Sequence, residues 1–96
     1  MTRAVVVRYR TRPDTADDNE QLIKAVFEEL AAVRPGGIRY FTVRVDETTF
    51  VHLAVFDSDA NPLDDLLTFQ TFTSGITDRC EEPPAPTVGR LVGSYP

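Results

Sequence analysis

The stretch GIRYFTVRVDETTFVHLAVFD, residues 37–57, decides the fold of this chain. Valine, isoleucine, phenylalanine, tyrosine and threonine dominate its two arms, and these residue types favour a packed β-sheet. The polar run DETT, residues 46–49, separates the arms and is typical of a tight turn. We therefore predict a β-hairpin whose second arm, residues 50–56, carries the one histidine of the chain, His52.

Alternation of side chains divides the predicted hairpin into two faces. With Val45 opposite Phe50 across a four-residue turn, the first face contains Arg39, Phe41, Val43, Val45, Phe50, His52, Ala54 and Phe56. The second face contains Ile38, Tyr40, Thr42, Arg44, Val51, Leu53 and Val55, and it is also largely apolar. We expect both faces to be covered, with Tyr40, Thr42 and Arg44 either in a dimer interface or lining the interior of a barrel.

Two segments with a helical period flank the hairpin. The first, residues 15–33, repeats apolar side chains every three or four positions and ends before a Pro-Gly-Gly run at residues 35–37. The second begins at an Asn-Pro pair, residues 61–62, which is a favoured helix start. It runs to Cys80, which we expect on its buried side as an inert residue, and Gly75 predicts a bend within it.

A strand at each end completes the order β-α-β-β-α-β. We predict these strands at residues 3–11 and 87–95. The order predicts an α+β, ferredoxin-like fold, in which a four-stranded antiparallel sheet carries two helices on one face. The other face would remain apolar and open, and such a patch marks an interface. We expect two copies of the chain to pack through this open sheet face as a symmetric homodimer.

Length and charge argue against several classes of protein. Ninety-six residues fit one domain, residues 1–96, and the net charge of −5 argues against binding to nucleic acid. No apolar run approaches the roughly 20 residues that span a bilayer, so we expect no membrane association. The apolar run after Arg3 is too short for a signal peptide, which predicts a cytoplasmic protein. One cysteine and one histidine argue against a metal site.

The chain resembles the dimeric α/β-barrel superfamily and, within it, the antibiotic biosynthesis monooxygenase (ABM) branch. The resemblance covers nearly the whole chain and rests on the element order, on GIRY at residues 37–40, on FVHLAVF at residues 50–56 and on NPLDDLLTFQTF at residues 61–72. It implies a homodimer with a shared barrel and a pocket between sheet and helices in each subunit. Such proteins include cofactor-independent monooxygenases of aromatic polyketides, haem-degrading enzymes and many proteins with no known reaction.

Departures from the family pattern bear on the chemistry. Where relatives often carry Glu-x-Trp at the end of the third strand, this chain has Ala54 and Phe56. Its second predicted helix has no histidine, which the haem-degrading relatives need. The resemblance therefore disfavours haem degradation, and we expect no cofactor. The monooxygenase relatives place a polar residue four positions before that tryptophan, and His52 is the corresponding residue here.

His52 is the candidate catalytic residue. We expect it to point into a helix-covered pocket with a substrate-binding wall of Phe41, Val43, Phe50, Phe56, Phe69 and Phe72. A neutral imidazole among apolar walls would take a proton from an acidic phenol or hydroquinone, and the carbanion would react with dioxygen without flavin or metal. The alternative is a core histidine with a satisfied hydrogen bond, in a non-catalytic dimeric barrel that binds a small apolar ligand or serves as an accessory protein.

Overall fold

One antiparallel sheet and three α-helices make up the computed structural model, which describes residues 2–96. The strands are β1 (Arg3–Thr11), β2 (Ile38–Arg44), β3 (Thr49–Phe56) and β4 (Cys80–Gly89). The helices are α1 (Ala16–Val33), α2 (Leu67–Ser74) and α3 (Ile76–Arg79), with 3-10 turns at Pro13–Thr15 and Pro62–Asp65. The strand order is β2-β3-β1-β4 and the helices pack on one face, so the predicted ferredoxin-like α+β fold is confirmed.

The core lies between the sheet and the helices. Its buried members come from β1, β3, all three helices and the segment just before α2, and they include Tyr9, Ile23, Val26, Phe50, Leu66, Phe72 and Ile76. Burial of each such side chain contributes roughly 1.5–3 kcal/mol before conformational entropy is subtracted. This packing holds the helices against the two central strands, β1 and β3.

Glu29 of α1 fixes the start of α2. Its Oε1 accepts hydrogen bonds from the backbone N–H of Thr68, at 3.0 Å, and from the Thr68 hydroxyl, at 2.5 Å. The N-cap residue of α2, Leu66, has no side-chain oxygen, so this carboxylate satisfies an amide that the helix itself leaves free. The position of α2 over the sheet is therefore tied to α1.

The register of the β2–β3 hairpin differs by one residue from the prediction. Thr42, not Val43, lies opposite His52, and Arg44 lies opposite Phe50. The Val45 N–H donates to the Thr49 carbonyl at 2.9 Å, so the turn contains three residues, 46–48, instead of four. The Asp46 carboxylate holds this turn by accepting the backbone N–H groups of Thr48 and Thr49, at 3.0 and 2.8 Å. A slip of one residue moves every side chain of a strand to the other face.

That slip exchanges the predicted faces of β2. Tyr40, Thr42 and Arg44 lie on the helix-covered side with His52, not on the open face. Phe41 and Val43 lie on the open face, where they are 48% and 54% exposed. The predicted position of these two residues in the pocket was therefore wrong.

The end of the chain also differs from the prediction. The second predicted helix breaks at Gly75 into α2 and α3, as the bend at that residue predicted. Cys80, predicted on a helix, is the first residue of β4 and pairs with Thr11. The predicted strand at residues 87–95 was thus placed too late. Because β4 is an edge strand, it tolerates three prolines that have no N–H to donate to a neighbour.

The open face of the sheet carries apolar side chains in contact with solvent. Val6, Phe41, Val43 and Val45 have exposed fractions that run from 42% for Val6 to 54% for Val43. Along the chain, these side chains alternate with the side chains that face the helices. None of the helices within residues 2–96 combines the length and apolar character needed to cross a membrane.

Candidate functional site

A cavity of about 320 Å³ lies between the sheet and α2, beside His52. This volume is at the lower end of the range for small-molecule pockets. Every strand, two helices and the 3-10 turn before α2 contribute to its walls. The lining residues are Arg3, Val5, Val7, Tyr9, Tyr40, His52, Ala54, Phe56, Asn61, Leu63, Phe69, Phe72, Thr73, Ile76 and Pro84.

The structure brings together four of the seven predicted site residues. His52, Phe56, Phe69 and Phe72 line the cavity. Phe50 is 1% exposed and stacks on Tyr9 with ring centroids 5.5 Å apart, so it is a core residue behind the cavity wall. Phe41 and Val43 lie on the other side of the sheet and do not reach the cavity.

Hydroxyl groups surround the imidazole of His52, which is 5% exposed. The Tyr9 oxygen lies 2.8 Å from Nε2, and the Tyr40 oxygen lies 2.5 Å from Nδ1. The Thr42 oxygen lies 3.1 Å from the same Nδ1 atom. Both ring nitrogens therefore have hydrogen-bond partners within the protein.

A second layer of contacts fixes Tyr9. The Asn19 amide donates to the Tyr9 oxygen at 2.9 Å, and Asn19 has no solvent-exposed surface. Arg79 Nε donates to the Asn19 oxygen at 3.0 Å, which fixes the orientation of that amide. Arg79 is itself anchored, because Nη2 donates to the carbonyl of Phe72 at 2.8 Å. The chain of contacts thus runs from α3 through α1 to the imidazole.

These contacts favour one tautomer of His52. The Tyr9 oxygen accepts the Asn19 amide, and Tyr9 is 2% exposed, so within residues 2–96 its own hydrogen has only Nε2 as an acceptor. Nε2 is then the acceptor, and Nδ1 carries the hydrogen. That hydrogen points to Tyr40 or Thr42, which leaves the hydroxyl hydrogen of Tyr40 available to an oxygen atom in the cavity.

Burial keeps all three titratable groups of the cluster neutral at neutral pH. Desolvation lowers the pKa of His52 to about 4. It raises the pKa of Tyr40 to about 12, and it raises the pKa of Tyr9 further against the opposing hydrogen bond from Asn19. The cluster can therefore donate and accept hydrogen bonds without carrying charge.

Several solved structures share this architecture. No family model matches the sequence, and no curated protein matches it. Rv0793 from Mycobacterium tuberculosis superposes with a TM-score of 0.78 at 20% identity, covering 100% of both chains. A protein described as an antibiotic biosynthesis monooxygenase gives 0.78 at 15% identity, covering 97% of this chain and 100% of that chain. A mutant form of SnoaB, a cofactor-independent oxygenase from Streptomyces nogalater, gives 0.70 at 14% identity, covering 99% and 97%.

The chain shares the ferredoxin-like α+β fold of these structures. Within this fold, four polar residues form the hydrogen-bonded cluster around His52, and the sequence pattern did not bring them together. Tyr40 and Thr42 reach His52 only because the turn has three residues, and Asn19 and Arg79 come from helices far away in sequence. The one sequence signal for Tyr40 and Thr42 was polarity at alternate positions of an apolar strand.

Metal ligands do not cluster in the described part of the chain. Among residues 2–96, no three His, Cys, Asp or Glu side chains lie together in a way that could hold a metal ion. Cys80 is partly buried, and burial raises the pKa of its thiol above the usual value.

Proposed function

We propose that this protein is a cofactor-independent oxygenase of a small phenolic or quinol-type aromatic compound. The observation that carries the proposal is the cavity itself, which is mostly apolar and has the Tyr40 hydroxyl, backed by His52, in its wall. The shared fold with SnoaB, described as a cofactor-independent oxygenase, supports the same reaction class. Aromatic walls at Phe56, Phe69 and Phe72 suit a flat, apolar ligand.

The proposed role of Tyr40 is to bind the oxygen atom of the substrate. In the favoured tautomer, Nδ1–H of His52 donates to the Tyr40 oxygen, and Tyr40 donates its own hydrogen to the substrate. A hydrogen bond to an enolate or phenolate oxygen strengthens as negative charge develops there, so it stabilises the anion more than the neutral compound. His52 acts in this scheme as the residue that orients Tyr40.

The proposed reaction needs only dioxygen. The substrate releases a C–H proton to water and becomes the anion, which reduces dioxygen by one electron. The two radicals combine at carbon to a peroxide anion, which takes a proton back from water to give the hydroperoxide. Loss of water from the hydroperoxide leaves a carbonyl group, so a methylene carbon and one O₂ give one C=O and one H₂O. In the other tautomer, Nε2–H donates to Tyr9 and Nδ1 accepts from Tyr40, so His52 would take the substrate proton through the Tyr40 hydroxyl.

Anthrone is a suitable test compound, because it has an acidic methylene group opposite a carbonyl oxygen. We expect the purified protein to convert anthrone to anthraquinone under oxygen faster than buffer does, as measured by absorbance and oxygen uptake. Tyr40→Phe should lower the rate at least tenfold. His52→Gln should also lower it, while Tyr95→Phe, at a side chain that is 99% exposed, should not. If the wild-type protein oxidised anthrone no faster than buffer alone, the proposed oxygenase function would be wrong.

A second candidate function is binding without turnover. It is favoured by the engagement of both ring nitrogens of His52 and by a pKa near 4, which makes the imidazole a weak base. In that case the cavity binds aromatic compounds, and none of them is oxidised. Calorimetric binding together with the absence of oxygen uptake would select this function.

We also propose that the protein is a homodimer formed through the open sheet face. The support is the row of exposed apolar side chains at Val6, Phe41, Val43 and Val45. A second copy of the chain offers the same apolar face, so a two-fold arrangement would bury both at once.

A further inference from the structure

Two residues bring hydrogen-bond donors to the cavity: Arg3, which pairs with Phe56 at the end of β3, and Asn61 of the segment that follows β3. Arg3 lines the cavity from the start of β1, and its Nε is buried without a hydrogen-bond partner among residues 2–96. A buried donor with no partner is rare in proteins and carries a desolvation penalty. A carboxylate that pairs with the terminal nitrogens of the same guanidinium would offset that cost.

Arg3 is also held in place. Its Cζ lies 4.6 Å from the centroid of the Phe56 ring, within the range of a cation–π contact. No carboxylate of residues 2–96 forms an ion pair with it, whereas Arg10 pairs with both Glu81 and Glu82. The guanidinium charge at the cavity is therefore positioned and not neutralised by a described side chain.

Asn61 adds a second donor at the same cavity. Its side-chain oxygen accepts the backbone N–H of Leu63 at 3.0 Å, which fixes the amide. The amide nitrogen donates to no atom of residues 2–96 and remains available. A guanidinium and an amide N–H together favour a group that only accepts hydrogen bonds and carries negative charge.

The sheet register sets the separation of the two polar ends. Arg3 pairs with Phe56, and Tyr40 pairs with Ala54, so the two side chains start two residues apart along the strands, about 7 Å. They also start two strands apart, about 10 Å. A ligand that reaches both ends is therefore elongated, with its polar groups at opposite ends.

We infer that the cavity binds an aromatic carboxylate whose acid group pairs with Arg3 and Asn61 while its opposite end reaches Tyr40. This inference rests on the proposed binding of an aromatic compound, and it adds the charge and shape of that compound. Arginine matches a carboxylate in a planar, two-bond geometry, which lysine does not reproduce. The apolar middle of the cavity accommodates the ring system between the two ends.

The test compares 6-hydroxy-2-naphthoate with its methyl ester, which has the same ring and phenol but no charge. Calorimetry on the wild-type protein should show the acid binding roughly tenfold more tightly than the ester. Arg3→Met and Arg3→Gln should abolish that preference and keep the affinity for the ester, which reports that each variant is folded. Arg39→Met is the matched control, because Arg39 is exposed at the opposite face, 6.0 Å from the Phe41 ring.

Each outcome has a defined meaning. A preference for the acid that is lost in both Arg3 variants and kept in Arg39→Met supports the inference. Equal binding of acid and ester in the wild type, or a preference that survives loss of Arg3, overturns the inference and leaves the proposed aromatic pocket intact. If neither compound binds, the inference and the proposed function both fail.

Discussion

Tyr9 and His52 face each other from adjacent central strands, with the Tyr9 oxygen 2.8 Å from Nε2 and the ring centroids 5.3 Å apart. The same oxygen accepts the amide of Asn19. One buried hydroxyl thus satisfies two buried polar groups. The pair connects the fold to the proposed chemistry, because the hydrogen bond that stabilises the core also selects the tautomer of the imidazole.

Removal of the Tyr9 hydroxyl should destabilise the protein. In Tyr9→Phe, the Asn19 amide and Nε2 of His52 both lose a buried partner, so we expect the free energy of unfolding to fall by about 2 kcal/mol. Urea unfolding at pH 7 measures the change. Tyr95→Phe loses the same atom at an exposed site and should change stability by less than about 0.5 kcal/mol. Equal stability of the two variants would contradict this assignment.

Stability should depend on pH through His52. Its pKa is about 4 in the folded protein and 6.5 in a free imidazole, so between these values the unfolded chain binds a proton that the folded chain does not. The contribution of His52 is complete above pH 6.5 and is lost as the pH falls toward 4. We expect the free energy of unfolding to fall by about 2 kcal/mol between pH 7 and pH 5.

The chain has one histidine, so NMR can follow this titration directly. The imidazole Hε1 signal of the folded protein should have a midpoint near pH 4, and the urea-unfolded chain should titrate near 6.5. Glu29 and Asp46, whose pKa values are lowered by hydrogen bonds from Thr68 and Thr48 respectively, add losses of stability only at lower pH. A folded-state midpoint above pH 6 would mean that His52 is accessible to water.

The proposed dimer should depend on the open face. Val43→Lys introduces a charge at a residue that is 54% exposed in one chain, and burial of that charge in a sheet-to-sheet contact would be unfavourable. We expect sedimentation to give a dimer for the wild type at micromolar concentration and a folded monomer for the variant. Val33→Lys is the matched control, because Val33 is 57% exposed at the end of α1 and should leave the dimer intact. A monomeric wild type would contradict the proposed assembly.

The cavity should close when Ala54 is enlarged. Ala54 lies in the cavity wall and is 6% exposed, so the side chain of Ala54→Leu would occupy ligand space. We expect at least a tenfold loss of affinity for 6-hydroxy-2-naphthoate. The free space of about 320 Å³ accepts the added atoms, so the free energy of unfolding should change by less than about 1 kcal/mol.

Ala60→Leu, in the exposed loop before Pro62–Asp65, is the control for added apolar volume and should leave binding unchanged. A large loss of stability in Ala54→Leu would indicate that the space beside Ala54 is already occupied by protein atoms. Unchanged affinity in the same variant would place the ligand elsewhere.

The fold followed from the sequence because its signals are local and repeated. The helical period of residues 15–33, the apolar run of β3 and the break at Gly75 each depend on neighbours within a few positions. The position of β4 did not follow, because three prolines usually argue against a strand. They are tolerated here because β4 lies at the edge of the sheet, which is a tertiary feature.

The candidate site was predicted only in part. His52 and three phenylalanines of the cavity came from the expected elements, whereas the partners of His52 did not. Asn19 lies 33 residues away from it and Arg79 lies 27 residues away, and no local pattern joins such positions. Tyr40 and Thr42 were assigned to the wrong face, because the pattern of β2 is apolar on both sides and fits either register.

The three-residue turn held by Asp46 has a consequence for how this pocket can change. Insertion of one residue at positions 46–48 would bring Val43 opposite His52 and turn Tyr40 outward, without any substitution in the cavity wall. The imidazole would then face an aliphatic neighbour in place of a hydroxyl. The length of the turn therefore decides whether the same strand presents polar or apolar side chains to the binding site. Insertion of a single codon, by design or by natural mutation, would change the ligands that the site accepts.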